Sequence, residues 1–492
     1  MVVRSLPPRP SWEHLGNEAR ALQRRVRNGD PDTLTLAREF HPRFADRVAS
    51  FRLSDAQLTV ARSYGQPSWP KLKYYVEAVT RYARDPHKVP PMSDEADEFL
   101  RLACLVYGGD DRSRPIAAAE TLRRDSSLAG RTIHTAAAVG DAAAAAAMLA
   151  RDRSLVTTPG GPFGWEPLLY LAYSRVVSED PRHSSLAVAR LLLEHGANPN
   201  AGYLWDGAYL FTALTGAFGC GEDAPNQPPH PESIALARSL LEAGADPNDD
   251  QAIYNRHFRA DNDYLELLLA HGLGGPRRGP WPRRLGRHLT EPRLLLEDAL
   301  VFVADNDSYA ERVALLLRHG VDPDGRGSQH PALRGLRPIE RARNGGAQRI
   351  ERLLLDAGAQ PPAANPADDL LALCMSGDRD AVEHATAADP TLVEMTTRRH
   401  PRALIEAAER GNASGVELLA HLGYDVNHRD VHTALHLAAY TGDRELCALL
   451  LRLGADPTIR DPSFDAPAAG WARHAHHEQL AAWLEQQSAE HS

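Results

Sequence analysis

From Thr433 to Pro457, apolar and polar positions follow two short helical periods separated by a break. Leu435, Leu437 and Ala438 fall on one side of a first helix, and Leu446, Leu449 and Leu450 on one side of a second. Gly442-Asp443 ends the first helix and caps the second. Thr433 stands at the N-cap, where a hydroxyl accepts a backbone N–H that the first turn leaves without a partner. Gly454 follows the leucine run, where a chain leaving a helix takes a left-handed residue, and Pro457 blocks continuation.

The closing half of this pattern recurs upstream. Leucine runs lead into Gly196, Gly244, Gly272, Gly320, Gly358 and Gly423 before the copy at Gly454, most of them followed by Ala-Asp/Asn-Pro or a relative of it. The opening half returns as Thr132-Ile133-His134-Thr135-Ala136-Ala137 with Gly140-Asp141, and as Thr212-Ala213-Leu214. So many matches in the right order make a repeat array. It is an irregular one: successive glycines are separated by as few as 28 residues (Gly244 to Gly272) and as many as 65 (Gly358 to Gly423), where a regular array keeps near ~33.

These residues make the chain similar to the ankyrin-repeat family over residues 97–492. The resemblance implies an all-α solenoid of stacked helix-turn-helix units with short finger loops along one edge. It covers about ten units, counting degenerate copies near Asp97–Gly130 and Asp368–Thr397 and a capping half-unit from Trp471 to Leu484. Ala434 and Ile133 stand where the family's pattern has proline. His134, His436 and His477 fall at positions where the family uses histidine structurally.

Residues 1–90 lack the pattern. Helices are expected from Trp12 to Arg27, from Pro31 with Asp30 as cap, from Leu53 to Arg62, and from Ser68-Trp69 to about Tyr82. Asp85 to Pro91 reads as a linker. The segment resembles a helical stretch found ahead of some bacterial ankyrin arrays, a resemblance that carries no activity. Its expected role is a cap closing one end of the solenoid.

The net charge of −10 and pI near 6.1 argue against a general nucleic-acid or anionic-membrane binder. No apolar run reaches membrane-span length, and the first residues lack a signal-peptide core. Cys104, Cys220, Cys374 and Cys447 form no metal-ligand spacing and read as buried thiols of a cytoplasmic protein. Three lysines among 55 basic residues point to coding bias in a GC-rich, bacterial genome. No catalytic motif is present: no nucleophile elbow, no phosphate-cradling loop, no His-Glu-x-x-His. The expectation is therefore no enzyme, no cofactor and no metal.

Specificity is expected where the pattern is interrupted, near 175–184, 219–233 and 274–293. The third interruption follows Gly272 and should extend a finger. It carries Arg277, Arg278, Trp281, Arg283, Arg284 and Arg287, with Trp281 as a large anchor and guanidinium forks suited to carboxylate or phosphate. Read structurally instead, it is a Pro/Gly-rich loop whose arginines pair with neighbouring repeats. The finger after Asn200 offers Tyr203 and Trp205, suited equally to a partner or to packing against the neighbouring insertion. The stretch 219–231, rich in Pro and Gly, is expected to be a disordered excursion.

The leading expectation is a protein-interaction scaffold holding a protein partner on its concave face and fingers, with partner identity and oligomeric state left open. An enzyme or small-ligand binder with a pocket between irregular repeats is the alternative. A weaker one is nucleic-acid binding through the arginines of 277–288.

Overall fold

The computed structural model describes Arg4 and residues 6–7, 10–328 and 335–491, and is predominantly helical. The chain divides into two compact units, Met1–Arg256 with Asp263–Thr290, and His257–Asn262 with Glu291–Ser492.

The first unit opens with four helices, α1 (Trp12–Arg27), α2 (Pro31–Phe40), α3 (Leu53–Ser63) and α4 (Trp69–Tyr82). Their starts are set by side-chain caps. Ser11 accepts the His14 N–H at 3.2 Å, Asp30 the Thr33 N–H at 3.0 Å, and Ser68 the Lys71 N–H at 3.4 Å. Leu15, Ala19, Leu22 and Val26 line one face of α1 and meet Phe44, Phe51, Val60, Leu72 and Val76 in a core of their own. Trp12 and Trp69 close it, ring centroids 4.6 Å apart.

After α4 the chain forms strand β1 (Ala83–Arg84), which joins the hairpin β2 (Gly202–Trp205) and β3 (Tyr209–Thr212). β1 runs parallel to β2, Ala83 opposite Leu204, and β2 runs antiparallel to β3, Tyr203 opposite Phe211. The hairpin turns on Asp206-Gly207, both with positive φ. A boundary expected between 90 and 97 is thus not where the compact units part: the N-terminal helices share a unit with the first repeats, because β1 and α4 are built into the hairpin.

Helix pairs follow: Glu95–Ala103 with Ser113–Arg124, Ile133–Val139 with Ala142–Arg151, Pro167–Tyr173 with Ser185–Glu194, Ala213–Phe218 with Ser233–Glu242, and Asp250–Asn255 with Asp263–Ala270. Every residue of the first helix is buried in the Ile133, Pro167 and Ala213 pairs. The 219–231 excursion is ordered, contrary to its composition. Arg175, 8% exposed, donates from Nε to the Pro228 carbonyl (2.6 Å) and from Nη2 to that of Gly216 (2.7 Å). Gln227 donates to buried Asp110 at 3.2 Å, and Cys220 N–H to the Gln227 carbonyl at 2.8 Å. Polar partners hold this loop where apolar content would not.

In the second unit the pairs run from Pro292–Val303 with Ala310–Arg318 through Pro338–Gly345 with Gln348–Asp356, Pro366–Ser376 with Arg379–Ala388, Ala403–Glu409 with Ala413–His421, and Ala434–Tyr440 with Arg444–Arg452, to Ala468–His474 with Glu478–His491. Arg312, with no exposed surface, anchors the 257–262 segment here. It donates to Asn262 Oδ1 (3.0 Å) and to the carbonyls of Arg259 and Asp261 (both 2.5 Å).

All seven exit glycines lie in the left-handed region, from φ +78° at Gly320 to +100° at Gly244. The asparagine four residues after three of them carries a lock that the sequence reading missed. Asn427 donates to the Gly454 carbonyl (3.0 Å) and accepts the Asp456 N–H (2.8 Å). Asn200 does the same with Gly244 and Asp246 (3.0 and 2.8 Å), and Asn248 with Gly275 and Gly274 (3.2 and 2.9 Å). Each amide thus ties one exit loop to the next.

In the best-kept repeat, Leu435, Ala438, Leu446 and Leu450 are buried, whereas Leu437 and Leu449 are half-buried. Thr433 departs from simple capping: its hydroxyl pairs with His436 Nδ1 at 2.8 Å, and His436 Nε2 meets the Ala466 carbonyl at 3.2 Å. His134 similarly meets the Thr158 carbonyl at 3.0 Å. Both histidines serve structure.

Candidate functional site

The residues singled out from sequence lie in the first unit, and most are engaged there. Trp281 is 4% exposed, and its indole N–H donates to the Asn200 carbonyl at 2.8 Å. The 274–293 segment does not project as a finger. Residues Trp281–Leu285 form a short helix whose two apolar ends, Trp281 and Leu285, bury against Val79 and Leu204. Water exclusion by that cluster outweighs the arginine content of the loop.

Arg277, with a side chain 11% exposed, donates to the Asn248 carbonyl and to Asp250, both at 2.5 Å. The Arg278 backbone N–H donates to Asp246 at 3.0 Å, and its guanidinium to the His271 carbonyl at 3.3 Å. Arg284 lies over the rings of Tyr82 (4.4 Å) and Trp281 (4.9 Å), and Arg283 over Tyr74 at 5.8 Å. Arg287 is exposed. Arg277 and Arg278 thus tie neighbouring repeats together, while Arg283 and Arg284 lie against rings of α4.

Tyr203 is also buried, 2% exposed and stacked on Trp165 at 4.9 Å. Half-buried Trp205 stacks on His87 at 4.7 Å and donates to the Val106 carbonyl at 3.0 Å. Tyr203 and Trp281 are therefore core residues, and for Tyr203 this is the packing alternative of the sequence reading.

A cleft of about 220 Å³ lies beside Leu102, Cys104, Asp110, Arg114, Ile116 and Arg175. Its buried charges are taken up by the protein. Asp110 accepts N–H groups of Val106 (2.9 Å) and Tyr107 (2.8 Å) and the Arg114 guanidinium (2.8 Å), while Arg175 holds carbonyls. Among the described residues no three His, Cys, Asp or Glu side chains converge as a metal set, and no helix is long and apolar enough to cross a membrane. The four cysteines are buried and unpaired with one another, and burial pushes Cys104, Cys374 and Cys447 up to about 12.

One surface that presents apolar groups to solvent is the last finger of the second unit. Phe464 is 76% exposed, the highest among the exposed large apolar side chains of the described residues. Asp461, 1% exposed, builds the loop beneath it. One carboxylate oxygen accepts the N–H groups of Ser463 (2.8 Å) and Phe464 (2.7 Å), the other those of Ala466 (3.1 Å) and the Trp471 indole (3.0 Å). Burial opposes ionisation of Asp461, but these donors, Trp471 foremost, outweigh it and hold the carboxyl below the usual range.

Asp465 turns the chain with φ +49°, its carboxylate paired with Arg460 Nε at 2.9 Å. Arg429, on the preceding finger, donates to the Arg460 carbonyl at 2.8 Å and ties the two fingers together. Half-buried Trp471 lies at the centre of the patch, 5.5 Å from His432, 6.0 Å from Tyr440 and 6.2 Å from Phe464. Val431, beside His432 in the chain, is 45% exposed. Arg402 pairs with Asp430 at 2.7 Å, so nearby acids and bases are close to balanced. The result is a rigid aromatic and apolar display with little net charge. It can do what an interface anchor does, which is to insert a preorganised ring into a partner pocket.

Comparison with known proteins agrees with this architecture. The family model for ankyrin repeats, in three copies, matches residues 370–461. The chain is 30% identical over 136 residues to the mouse protein phosphatase 1 regulatory subunit 27, covering 27% of this chain and 85% of that protein. It is 29% identical over 165 residues to the Drosophila E3 ubiquitin-protein ligase Ufd4, covering 34% of this chain but only 6% of the ligase. The helix pairs, the left-handed exits, the asparagine locks and these matches together make the chain a member of the ankyrin-repeat family, an architecture of protein–protein interaction.

Proposed function

We propose that the chain is a cytoplasmic, non-enzymatic scaffold whose second unit holds a protein partner on the fingers and first helices of its last repeats. The observation that carries this reading is Phe464, displayed on a loop that Asp461 fixes through four N–H donors. A rigid exposed aromatic costs solubility and little ordering entropy on binding, the balance expected of an anchor. With neighbouring charges close to balanced, affinity should change little with salt, in contrast to an electrostatic interface.

The similarity to a phosphatase regulatory subunit supports an adaptor role and makes the catalytic subunit of protein phosphatase 1 the first partner to test. Titration of that purified subunit against the full chain, with Phe464→Ser alongside, tests the reading. The expected result is binding that weakens at least tenfold in the variant without loss of thermal stability. Equal binding by both chains places the contact elsewhere, and absence of binding removes this partner from the proposal.

A further inference from the structure

In the first unit, the surface formed by the hairpin and the Trp281–Leu285 helix has an occupant from the same chain. Trp281, Leu285 and Leu204 bury Val79 of α4, ringed by Tyr75, Tyr82, Ala83, Leu210 and Leu289. Tyr75, Val79 and Tyr82 are spaced i, i+4, i+7, the stripe by which an amphipathic helix lies in a groove. Leu72 and Val76, on the adjoining stripe of α4, belong to the N-terminal core. Directly after the helix, β1 adds to the edge of β2, Arg84 opposite Trp205. Helix-in-groove and strand addition, two standard modes of peptide recognition, occur here in tandem.

The remaining contacts are those of a recognition interface. His288 stacks on Tyr75 at 4.1 Å, with its Nε2 2.7 Å from Gln66 Nε2. His87 stacks on Trp205 at 4.7 Å, and Lys88 pairs with Asp206 at 3.1 Å. The shared buried cluster is small beside the separate core that α1–α4 possess. Strand pairing extends over only Ala83 and Arg84. The α1–α4 core therefore keeps most of its own burial when the contact opens, and Trp281 and Leu285 become the apolar face that another segment can cover.

We propose that the face made by β2–β3 and the Trp281–Leu285 helix is a docking site for an amphipathic helix that runs straight into an extended segment. The chain's own α4–β1 is its resident ligand, and its release admits a partner segment of the same pattern. This does not rest on the Phe464 finger.

The test uses the full chain and a fluorescein-labelled peptide of its residues 68–91, read by anisotropy. Val79→Ala with Tyr82→Ala weakens the resident ligand, and this variant should take up the peptide at least tenfold more tightly than the unaltered chain. Adding Leu285→Asp should abolish the gain. A cis-weakened variant that keeps its helical circular dichroism yet takes up no more peptide than the unaltered chain overturns the proposal. Hydrogen exchange on the unaltered chain gives a second reading, independent of any variant's folding. Amides of β1 and β2 should exchange faster than those of α1 and of the Ile133–Val139 helix, and equal protection overturns the proposal as well.

Discussion

Replacing Asp461 by alanine should release the last finger. The side chain is 1% exposed and accepts from Ser463, Phe464, Ala466 and the Trp471 indole at 2.7–3.1 Å. Hydrogen bonds to a charged acceptor contribute about 1.5–3 kcal/mol each. The four are not additive, because Ser463 and Phe464 stand at the surface and water can replace part of the loss. A net local cost of about 2–4 kcal/mol follows. In a stack of repeats that contact only their neighbours, such a cost at the last finger appears as local opening more than as a shift of the whole melt. Hydrogen exchange at Ser463, Phe464 and Ala466 is therefore the assay. Their protection should fall by about 30- to 1,000-fold, since each 1.4 kcal/mol is a factor of ten. Asparagine at 461 should recover part of this, because its amide NH2 faces the Ala466 and Trp471 donors while its oxygen can still serve Ser463 and Phe464. The native carboxyl sits below the usual range, so its contribution is full above the unfolded value of 3.8 and is lost as pH falls through the folded value. Unchanged protection in Asp461→Ala would refute the idea that this carboxylate organises the finger.

Gly454→Ala should destabilise by about 1 kcal/mol in chemical denaturation, a purely conformational cost, since φ is +97° and a Cβ would meet nothing within 4 Å. Gly442→Ala should cost more, because its Cβ would come within 2.6 Å of the His477 ring, and equal losses in the two variants would contradict that steric reading. Arg312→Ala should cost about 3 kcal/mol by emptying a fully buried site and removing its part-buried bonds to Asn262, Arg259 and Asp261, and exchange within 257–262 should rise with it. Burial raises Asp249 to about 6 despite its bonds from Thr212, Ala252 and Thr215. It therefore favours the fold most below the unfolded value of 3.8, and stability of the first unit should decline as pH rises from there through 6. The span is on the order of 3 kcal/mol, and a thermal melt series from pH 4 to 7 should show that slope vanish in Asp249→Asn.

What could be read from the chain beforehand was local. Gly196 to Gly454 announce helix exits because left-handed geometry selects glycine, and all seven adopt it. Asp30-Pro31 and Ser68 announce helix starts, and α2 and α4 begin there because caps act within one turn. The functional assignments depended on partners distant in sequence. Trp281 reads as a finger anchor until Tyr82 and Val79 of α4 come to rest on it, some 200 residues earlier in the chain. Its helix, Trp281–Leu285, is too short to produce a period. The 219–231 loop has the composition of disorder, yet Arg175 and Asp110 hold it by bonds no apolar pattern records. The Asp461 finger carried a weak local signal, an Asp-Pro-Ser-Phe-Asp turn sequence before the Pro467 helix start. Asn200, Asn248 and Asn427 were legible in principle, each four residues past a glycine.

The central claim, that the second unit presents a partner-binding finger headed by Phe464, is tested most directly by quantitative capture from native lysate with the full chain and with Phe464→Ser, Val431→Ser. The two substitutions replace exposed apolar side chains and should leave the melting temperature within a degree or two. The account predicts that proteins retained by the unaltered chain are lost from the variant at every salt concentration from 50 to 500 mM (on the order of a tenfold span). Retention of the same proteins in the same yields by both chains would contradict it.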